Sequence, residues 1–314
     1  MCKVKYFICP MSKNIVDCVI DMNTNKLGLL PTRRQIDYNG GYVNNWNTKS
    51  FTKYVKSKSS NMVVERDHSG PLQGDSNEFY SYEDDCEFLN MLHIDPWKKY
   101  ANIEDGVDYT IDIIKHLYKL NKNLQYEVGT EEAIRPMSIL DLDYMLEKIS
   151  TNLNRDMFGN IVYVCIQSGV GLDLINRKNT GKFDLEKLKK MISLVRYFGL
   201  KTKEHNGDYL SGDEIKIRFD NGLDAINIGP ELVQIETETY LDFMNSKEID
   251  RFYEICLKSE KWKKWVTPDF DTSNKESLIM ICGHYNFNNL EMDDVHDIVK
   301  ERLNTKLNQL LTYV

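Results

Sequence analysis

The chain has 314 residues, with 40 Lys and Arg against 48 Asp and Glu, a formal charge of −8 at pH 7 and an isoelectric point near 5.4. That balance excludes a general nucleic-acid binder, because nonspecific affinity for phosphate backbones comes from clustered basic side chains. With 41% hydrophobic and 28% charged residues the chain can bury a core, and its length admits two domains or one α/β barrel of roughly 250 residues with an extension.

The N-terminus places Lys3 and Lys5 before a short apolar run that lacks a small-residue cleavage site, so it is not a signal peptide. No stretch approaches the ~20 apolar residues that span a bilayer. A soluble, cytoplasmic protein with no membrane partner is expected. The seven cysteines are odd in number, scattered, and form no C-x-x-C pair. They argue against a disulfide framework and a cysteine zinc cage.

Taken in chain order, apolar or β-branched runs alternate with segments of helical period. Strands are expected at 5–9, 27–33, 61–68, 92–95, 124–129, 161–167, 200–205 and 225–229, and helices at 13–22, 48–58, 82–90, 104–120, 138–153, 184–198 and 211–219. The segment from 104 shows the period most clearly, with Val107, Ile111, Ile114, Leu117, Tyr118 and Leu120 on one stripe. Eight strands and seven intervening helices predict an α/β fold, a (β/α)8 TIM barrel over residues 1–231. An open dinucleotide-binding sheet is disfavoured, since Cys9-Pro10-Met11-Ser12 after the first strand contains no glycine. Beyond it, helical patterns at 240–243, 249–259, 275–281 and 293–311 predict a C-terminal helical extension, 232–314, packed on the barrel. The loops 39–47 and 69–81 are the richest in Gly, Pro, Ser and Asn.

Polar residues gather where the strands end: Arg66-Asp67-His68-Ser69-Gly70, His93-Ile94-Asp95, Glu127-Val128-Gly129-Thr130-Glu131, Gln167-Ser168-Gly169, His205-Asn206-Gly207 and Asn227-Ile228-Gly229. In a barrel these ends converge on one face, the face that carries active sites. Histidines, carboxylates and a carboxamide together suit a divalent cation with nitrogen and oxygen ligands. Adjacent carboxylates could then serve as acid and base. Glycines beside Ser168, Asn206 and Ile228 leave backbone N–H groups to approach a phosphate. Each member alone has a plainer reading: Asp95 before Pro96 is as well a turn former, Glu127 a partner of Arg135, and His93 a packed residue of the strand body. His116, His284 and His296 are read as surface or core residues. The signal is the coincidence across strands.

The order and spacing of these motifs, with Thr32-Arg33-Arg34-Gln35-Ile36-Asp37-Tyr38-Asn39-Gly40-Gly41-Tyr42 before them, resemble the GatZ/KbaZ-like family. Those are the non-catalytic subunits of class II tagatose-bisphosphate aldolase, relatives of the class II aldolases and of metal-dependent ketose 4-epimerases. The resemblance runs from about Cys9 to Glu231, with a weaker echo at Lys261-Trp262-Lys263-Lys264-Trp265. It implies that Asp67 relays a proton to the C4 oxygen, with Glu127 and Asp95 in the same catalytic set, and that His68, His205, Gln167 and Glu127 hold a divalent metal, zinc in the relatives. Gln167 stands where the catalytic aldolases carry another zinc histidine. The substrate and its phosphate would meet Gln35, Gly40, Gly41, Arg66, Ser168, Gly169, Asn206, Gly207, Asn227 and Gly229.

The implied chemistry is retro-aldol. With a cation on the C2 and C3 oxygens of a ketose, Asp67 takes the C4 hydroxyl proton and the C3–C4 bond breaks. Release of the fragments is aldol cleavage, and re-addition of the rotated aldehyde is 4-epimerisation. The expected protein is therefore a metal-dependent aldolase or sugar-phosphate 4-epimerase. The alternatives are a silent subunit that stabilises an aldolase catalytic subunit, and a sugar lyase or isomerase of glycan synthesis using Arg33, Arg34 and Arg66 to bind an anionic substrate. The C-terminal leucines Leu303, Leu307, Leu310 and Leu311 would dock on the barrel or on a second copy of the chain.

Overall fold

The computed structural model describes residues 3–314, apart from the side chain of Asp293. Six parallel strands come first: β1 (Tyr6–Ile8), β2 (Leu27–Leu29), β3 (Glu65–Ser69), β4 (Met91–Ile94), β5 (Gln125–Gly129) and β6 (Ile161–Cys165). After a small hairpin of β7 (Leu172–Asp173) and β8 (Lys178–Asn179), β9 (Lys201–Glu204) and β10 (Ala225–Ile228) complete the ring. Apart from that hairpin, consecutive strands are hydrogen-bonded neighbours, and β10 returns to β1. The last seam, between β2 and β3, is joined by the parallel bridges Leu29–Val64 and Thr32–Asp67. The result is the expected (β/α)8 barrel, nearly closed.

The crossover helices are α1 (Lys13–Asp21), α2 (Thr48–Lys58), α3 (Glu78–Phe88), α4 (Ile103–Leu120), α5 (Ile139–Asn152), the short α6 (Arg155–Gly159), α7 (Leu185–Tyr197) and α8 (Gly212–Asp220). Their starts are written in the sequence. Asn47, Asn77, Asn102, Ser138, Asp184 and Ser211 each accept a hydrogen bond from a backbone N–H of the first turn, the usual work of an N-cap side chain. In α4 the stripe Val107, Ile111, Ile114 and Leu117 is buried, while Leu120 at its end is 52% exposed.

Then come α9 (Pro230–Phe243), α10 (Ser246–Ser259), α11 (Lys275–Cys282) and α12 (His296–Leu311). Helix α9 is ten residues longer at its start than the expected 240–243. Its first turns are rich in β-branched Val, Ile and Thr, which mask a helical pattern, whereas Pro230 at the first helical position favours one. Helix α12 packs between α9 and α1, with Leu303, Leu307 and Leu310 fully buried. Helix α3 also starts earlier than expected, at its Asn77 cap, and neither α6 nor the β7–β8 hairpin was anticipated. Of the cysteines, Cys2 lies outside the described residues and the other six are free thiols.

Strand alternation divides the core in two. Tyr6 and Ile8 point outward into the apolar layer under the helices. Phe7 points inward and packs with Val4, Leu30, Met91, Tyr163 and Ala225 at the bottom of the barrel. Above that plug sits a buried charge layer: the Lys203 ammonium lies 2.7 Å from Glu65 and 2.5 Å from Glu127, and 4.1 Å over the Phe7 ring. Two residues further along the same inward columns come Asp67 above Glu65, His93 above Met91, His205 above Lys203 and Asn227 above Ala225.

Candidate metal centre at the mouth of the barrel

The C-terminal ends of the strands open into a cavity of about 220 Å³ whose floor is formed by Asp67, His68 and His205. Asp67 and His68 are sequence neighbours, and regular alternation would send one of them outward. A register shift in β3 between Arg66 and Ser69 and a left-handed backbone at His68, φ 48°, turn both toward the cavity. Asn206, φ 57°, does the same beside His205, and both line the cavity. Strained backbone of this kind is concentrated at functional sites.

Three imidazoles converge on the floor: the ring centroids are 5.2 Å apart for His68 and His93, 5.4 Å for His68 and His205, and 4.8 Å for His93 and His205. Each ring has one nitrogen engaged by a buried acceptor. His68 Nδ1 meets Asp95 at 2.6 Å, His93 Nε2 the Gly129 carbonyl at 2.9 Å, and His205 Nε2 meets Glu127 at 3.0 Å. Carbonyl and carboxylate partners hold a proton on those nitrogens, which leaves the opposite lone pairs for a metal. The opposite nitrogens face Asp67: His68 Nε2 at 3.7 Å, His93 Nδ1 at 3.7 Å and His205 Nδ1 at 3.9 Å; His93 Nδ1 also accepts from the His68 backbone N–H at 3.4 Å, a bond that a metal on that nitrogen would have to displace. One potential ligand atom from each of Asp67, His68, His93 and His205 lies within 4.8 Å of the others. Glu131 stands beside them, its carboxylate 3.8 Å from His68 and from His205.

One observation favours a divalent cation among these residues. Asp67 Oδ1 is buried and makes no hydrogen bond, so it lacks the partner that a buried polar atom ordinarily has. Burial pulls the His68 imidazole down, but Asp67, Asp95 and Glu131 outweigh it and raise it to about 10. A metal binding among the same acids would compete with that proton. Burial raises Asp67, yet the three imidazoles win and hold its carboxyl below the usual range. Glu127 is likewise held ionised, against burial, by Lys203, His93 and His205. Glu65, on the far side of Lys203, is pushed up by burial. Nitrogen and oxygen ligands without sulfur suit zinc or a neighbouring divalent ion.

Of the residues singled out in the sequence, Gln35, Asp67, His68, His205, Asn206, Asn227 and Gly229 line the cavity. Asp95 and Glu127 lie behind it, as the acceptors that orient His68 and His205. Gln167 is engaged at both ends of its amide: its oxygen accepts from Met137 N at 2.8 Å, and its nitrogen donates to the Thr130 and Arg135 carbonyls at 2.8 Å each. It ties down the loop after β5. Ser168 donates to Glu204 at 2.6 Å, and a Cβ on Gly169 would lie 2.0 Å from the Lys182 carbonyl oxygen. Neither of them, nor Gly40, Gly41 or Gly207, is on the cavity wall. Arg66 is wholly buried below the mouth, with a two-pronged contact to Asp85 at 2.8 and 2.6 Å and further bonds to the Pro31, Thr32 and Ile36 carbonyls. It fixes the β2 loop.

Sequence reading left out His93, treated as barrel packing, although His93 and Asp95 are two apart on one strand and so share its inward face. It also left out the wall residues Lys98, Lys264, Trp265 and Tyr285, of which Lys264 and Trp265 fell in the weak echo of the family resemblance. The last three come from the C-terminal helical segment, whose placement over the mouth has no local signal.

No family model matches the sequence, and no curated protein matches it. Solved structures do. A probable tagatose 6 phosphate kinase from Sinorhizobium meliloti 1021 is 14% identical with a TM-score of 0.73, covering 96% of this chain and 86% of that one. The fructose-bisphosphate aldolase of Campylobacter jejuni is 10% identical with a TM-score of 0.61, covering 99% and 89%. The YdjI aldolase of Escherichia coli K12 is 13% identical with a TM-score of 0.53, covering 98% and 90%. At these identities the likeness shows the fold alone, a (β/α)8 barrel.

Proposed function

We propose that the chain is a divalent-metal-dependent retro-aldol enzyme, an aldolase or ketose 4-epimerase acting on a sugar phosphate, akin to the GatZ/KbaZ-like proteins. The observation that carries this reading is the convergence of His68, His93, His205 and Asp67, each imidazole oriented by a buried acceptor, at the catalytic end of an aldolase-like barrel. His68, His93 and His205 would hold the metal, with zinc the ion of choice and His93 standing in for the imidazole that Gln167 does not supply. The bound cation supplies a Lewis acid for the substrate carbonyl.

The rest falls to the chain's own groups. Asp67, kept ionised by its imidazole neighbours, accepts the C4 hydroxyl proton. The C3–C4 bonding pair then moves toward C3 and the polarised carbonyl, leaving an aldehyde. Asn227 has both amide atoms buried without a partner and lines the cavity, so a substrate hydroxyl completes its bonding. Glu131, in reach of two of the histidines, is placed to carry a proton to or from the fragments. Release gives cleavage; re-addition of the aldehyde on its other face gives the epimer.

The test is to purify the isolated chain, measure bound metal, and incubate it with zinc and a panel of ketose phosphates. Bound metal with triose products or a C4 epimer supports the reading. Absence of turnover with every phosphate supports instead a silent subunit, the reading favoured by Gln167 standing in place of a family histidine. A chain that binds no divalent metal excludes the retro-aldol mechanism.

A further inference from the structure

The loops after the last two strands of a TIM barrel commonly hold a phosphate on free backbone N–H groups and a helix N-terminus. Here those groups already have acceptors. The Asp208 carboxylate, from the loop after β9, lies against the first turn of α9 and accepts from Gly229 N and Glu231 N, both at 2.8 Å. Gly207 N donates to the Asn227 carbonyl at 2.9 Å, and the Asn206 side chain donates to Glu131 at 2.8 Å. An incoming phosphate would find no free donor among these and would meet Glu131 and Asp67 as like charges.

The rim of the same cavity is its opposite. Arg34 after β2, Lys98 after β4 and Lys264 ahead of α11 reach it from three separate segments. Among the described residues the one carboxylate in ion-pair range of any of them is Asp75, 3.6 Å from Arg34 and itself largely exposed. Lys264 lies 4.3 Å over the Trp265 ring and 4.9 Å over Tyr285, which directs its ammonium along the cavity wall. Enclosure, then Arg34, Lys261 and Lys98, pull Lys264 down to about 8, with Asp75 in weak opposition. Lys98 is lowered by enclosure and by Arg34. Cations held together with so little resident counter-charge repel one another, and a bound anion reverses that cost.

We propose that Arg34, Lys98 and Lys264 form the subsite for the phosphate monoester of the substrate, at the end remote from the carbons that react on the floor. The proposal rests on the sugar-phosphate reading above and adds to it where the charged group sits. The arrangement orients the sugar: its carbonyl end goes to the histidines, its phosphate end to the rim. The C-terminal helical segment, through Lys264, thereby becomes part of substrate recognition.

Calorimetric titration of the metal-loaded full chain with inorganic phosphate, a ketose and the same ketose as its phosphate ester tests this. Arg34→Ala, Lys98→Ala and Lys264→Ala, singly and together, are the variants; all three side chains reach solvent, so folding is not at issue. Each single change is expected to weaken the ester and inorganic phosphate by about fivefold, the range of an exposed ion pair. The triple variant should bind ester and parent ketose equally, with metal content unchanged. Added salt should weaken the ester and spare the ketose. Undiminished binding of ester and phosphate by the triple variant overturns the subsite, even if turnover is seen. Loss of ester binding in that variant, with no turnover by the parent chain, upholds the subsite and removes the retro-aldol reading instead.

Discussion

At the floor of the cavity every imidazole has one nitrogen engaged, by Asp95, by the Gly129 carbonyl or by Glu127, and those partners are themselves buried. At the rim, Arg34, Lys98 and Lys264 reach solvent, and one exposed ion pair at 3.6 Å and the aromatic faces under Lys264 are what restrain them. The floor is held in place before any ligand arrives; the rim is free to close around one. A reaction that depends on angles at a metal needs the first arrangement, since a ligand displaced by even an ångström loses its geometry. Capture of a charged group needs only the second. On the proposed reading, the two regions divide chemistry from recognition within a single cavity.

The sharpest way to break that division is His93→Ala. If His93 is a ligand, the variant loses metal affinity by about a hundredfold or more, at least what the loss of an outer-shell partner costs, and turnover falls with it; unchanged zinc content by elemental analysis would return His93 to barrel packing. Next in size is Lys203→Met, which leaves Glu127 and Glu65 facing each other without their cation. Breaking a buried pair this way costs about 3–5 kcal/mol, to be read from the midpoint of urea unfolding. A variant of wild-type stability would show that the floor does not depend on the charge layer below it.

Gln167→Ala separates anchoring from ligation. It removes three hydrogen bonds, from Met137 and to Thr130 and Arg135, and is expected to cost about 1–3 kcal/mol while leaving metal affinity intact. A fall in zinc affinity larger than the fall in stability would make Gln167 a ligand after all.

A pH effect sets a baseline for a buried acid with no cation beside it. Glu236 is bonded by Ser12, Asn14 and Tyr240, and burial, against those bonds, raises it from 4.5 to about 7. The folded state therefore holds this proton more tightly than the unfolded chain. The contribution is present below about pH 4.5 and is lost as pH rises toward 7, up to about 3 kcal/mol. Glu236→Gln should flatten that part of the stability profile between pH 5 and 8. An identical slope in the variant would assign it to other groups.

The alternation of apolar runs with helical periods made the barrel legible, because each strand needs an apolar face toward its helices and each helix announces its start with a capping side chain. Asp67, His68 and His205 could be read because they end strands. What could not be read depended on contacts that no local pattern records. Arg66 carries the charge of a phosphate ligand, but the carbonyls that bury it belong to residues 31–36. Gln167 stands at a strand end, yet its amide turns back to the neighbouring loop. Lys264, Trp265 and Tyr285 reach the cavity from roughly two hundred positions beyond the first histidine of the site. His93 is the exception: it lies two residues before Asp95 on one strand, and counting by twos along the inward face would have found it.

The left-handed backbone at His68 sets two demands on one position. Glycine would relax the main chain by about 1 kcal/mol and delete the imidazole; other side chains would keep some or all of the strain and offer no imidazole. A saturation library at position 68 selected for folding should therefore drift toward glycine, and the same library selected for metal retention should return histidine. The disagreement between those two answers at a single codon would measure how much stability this fold gives up to keep its site.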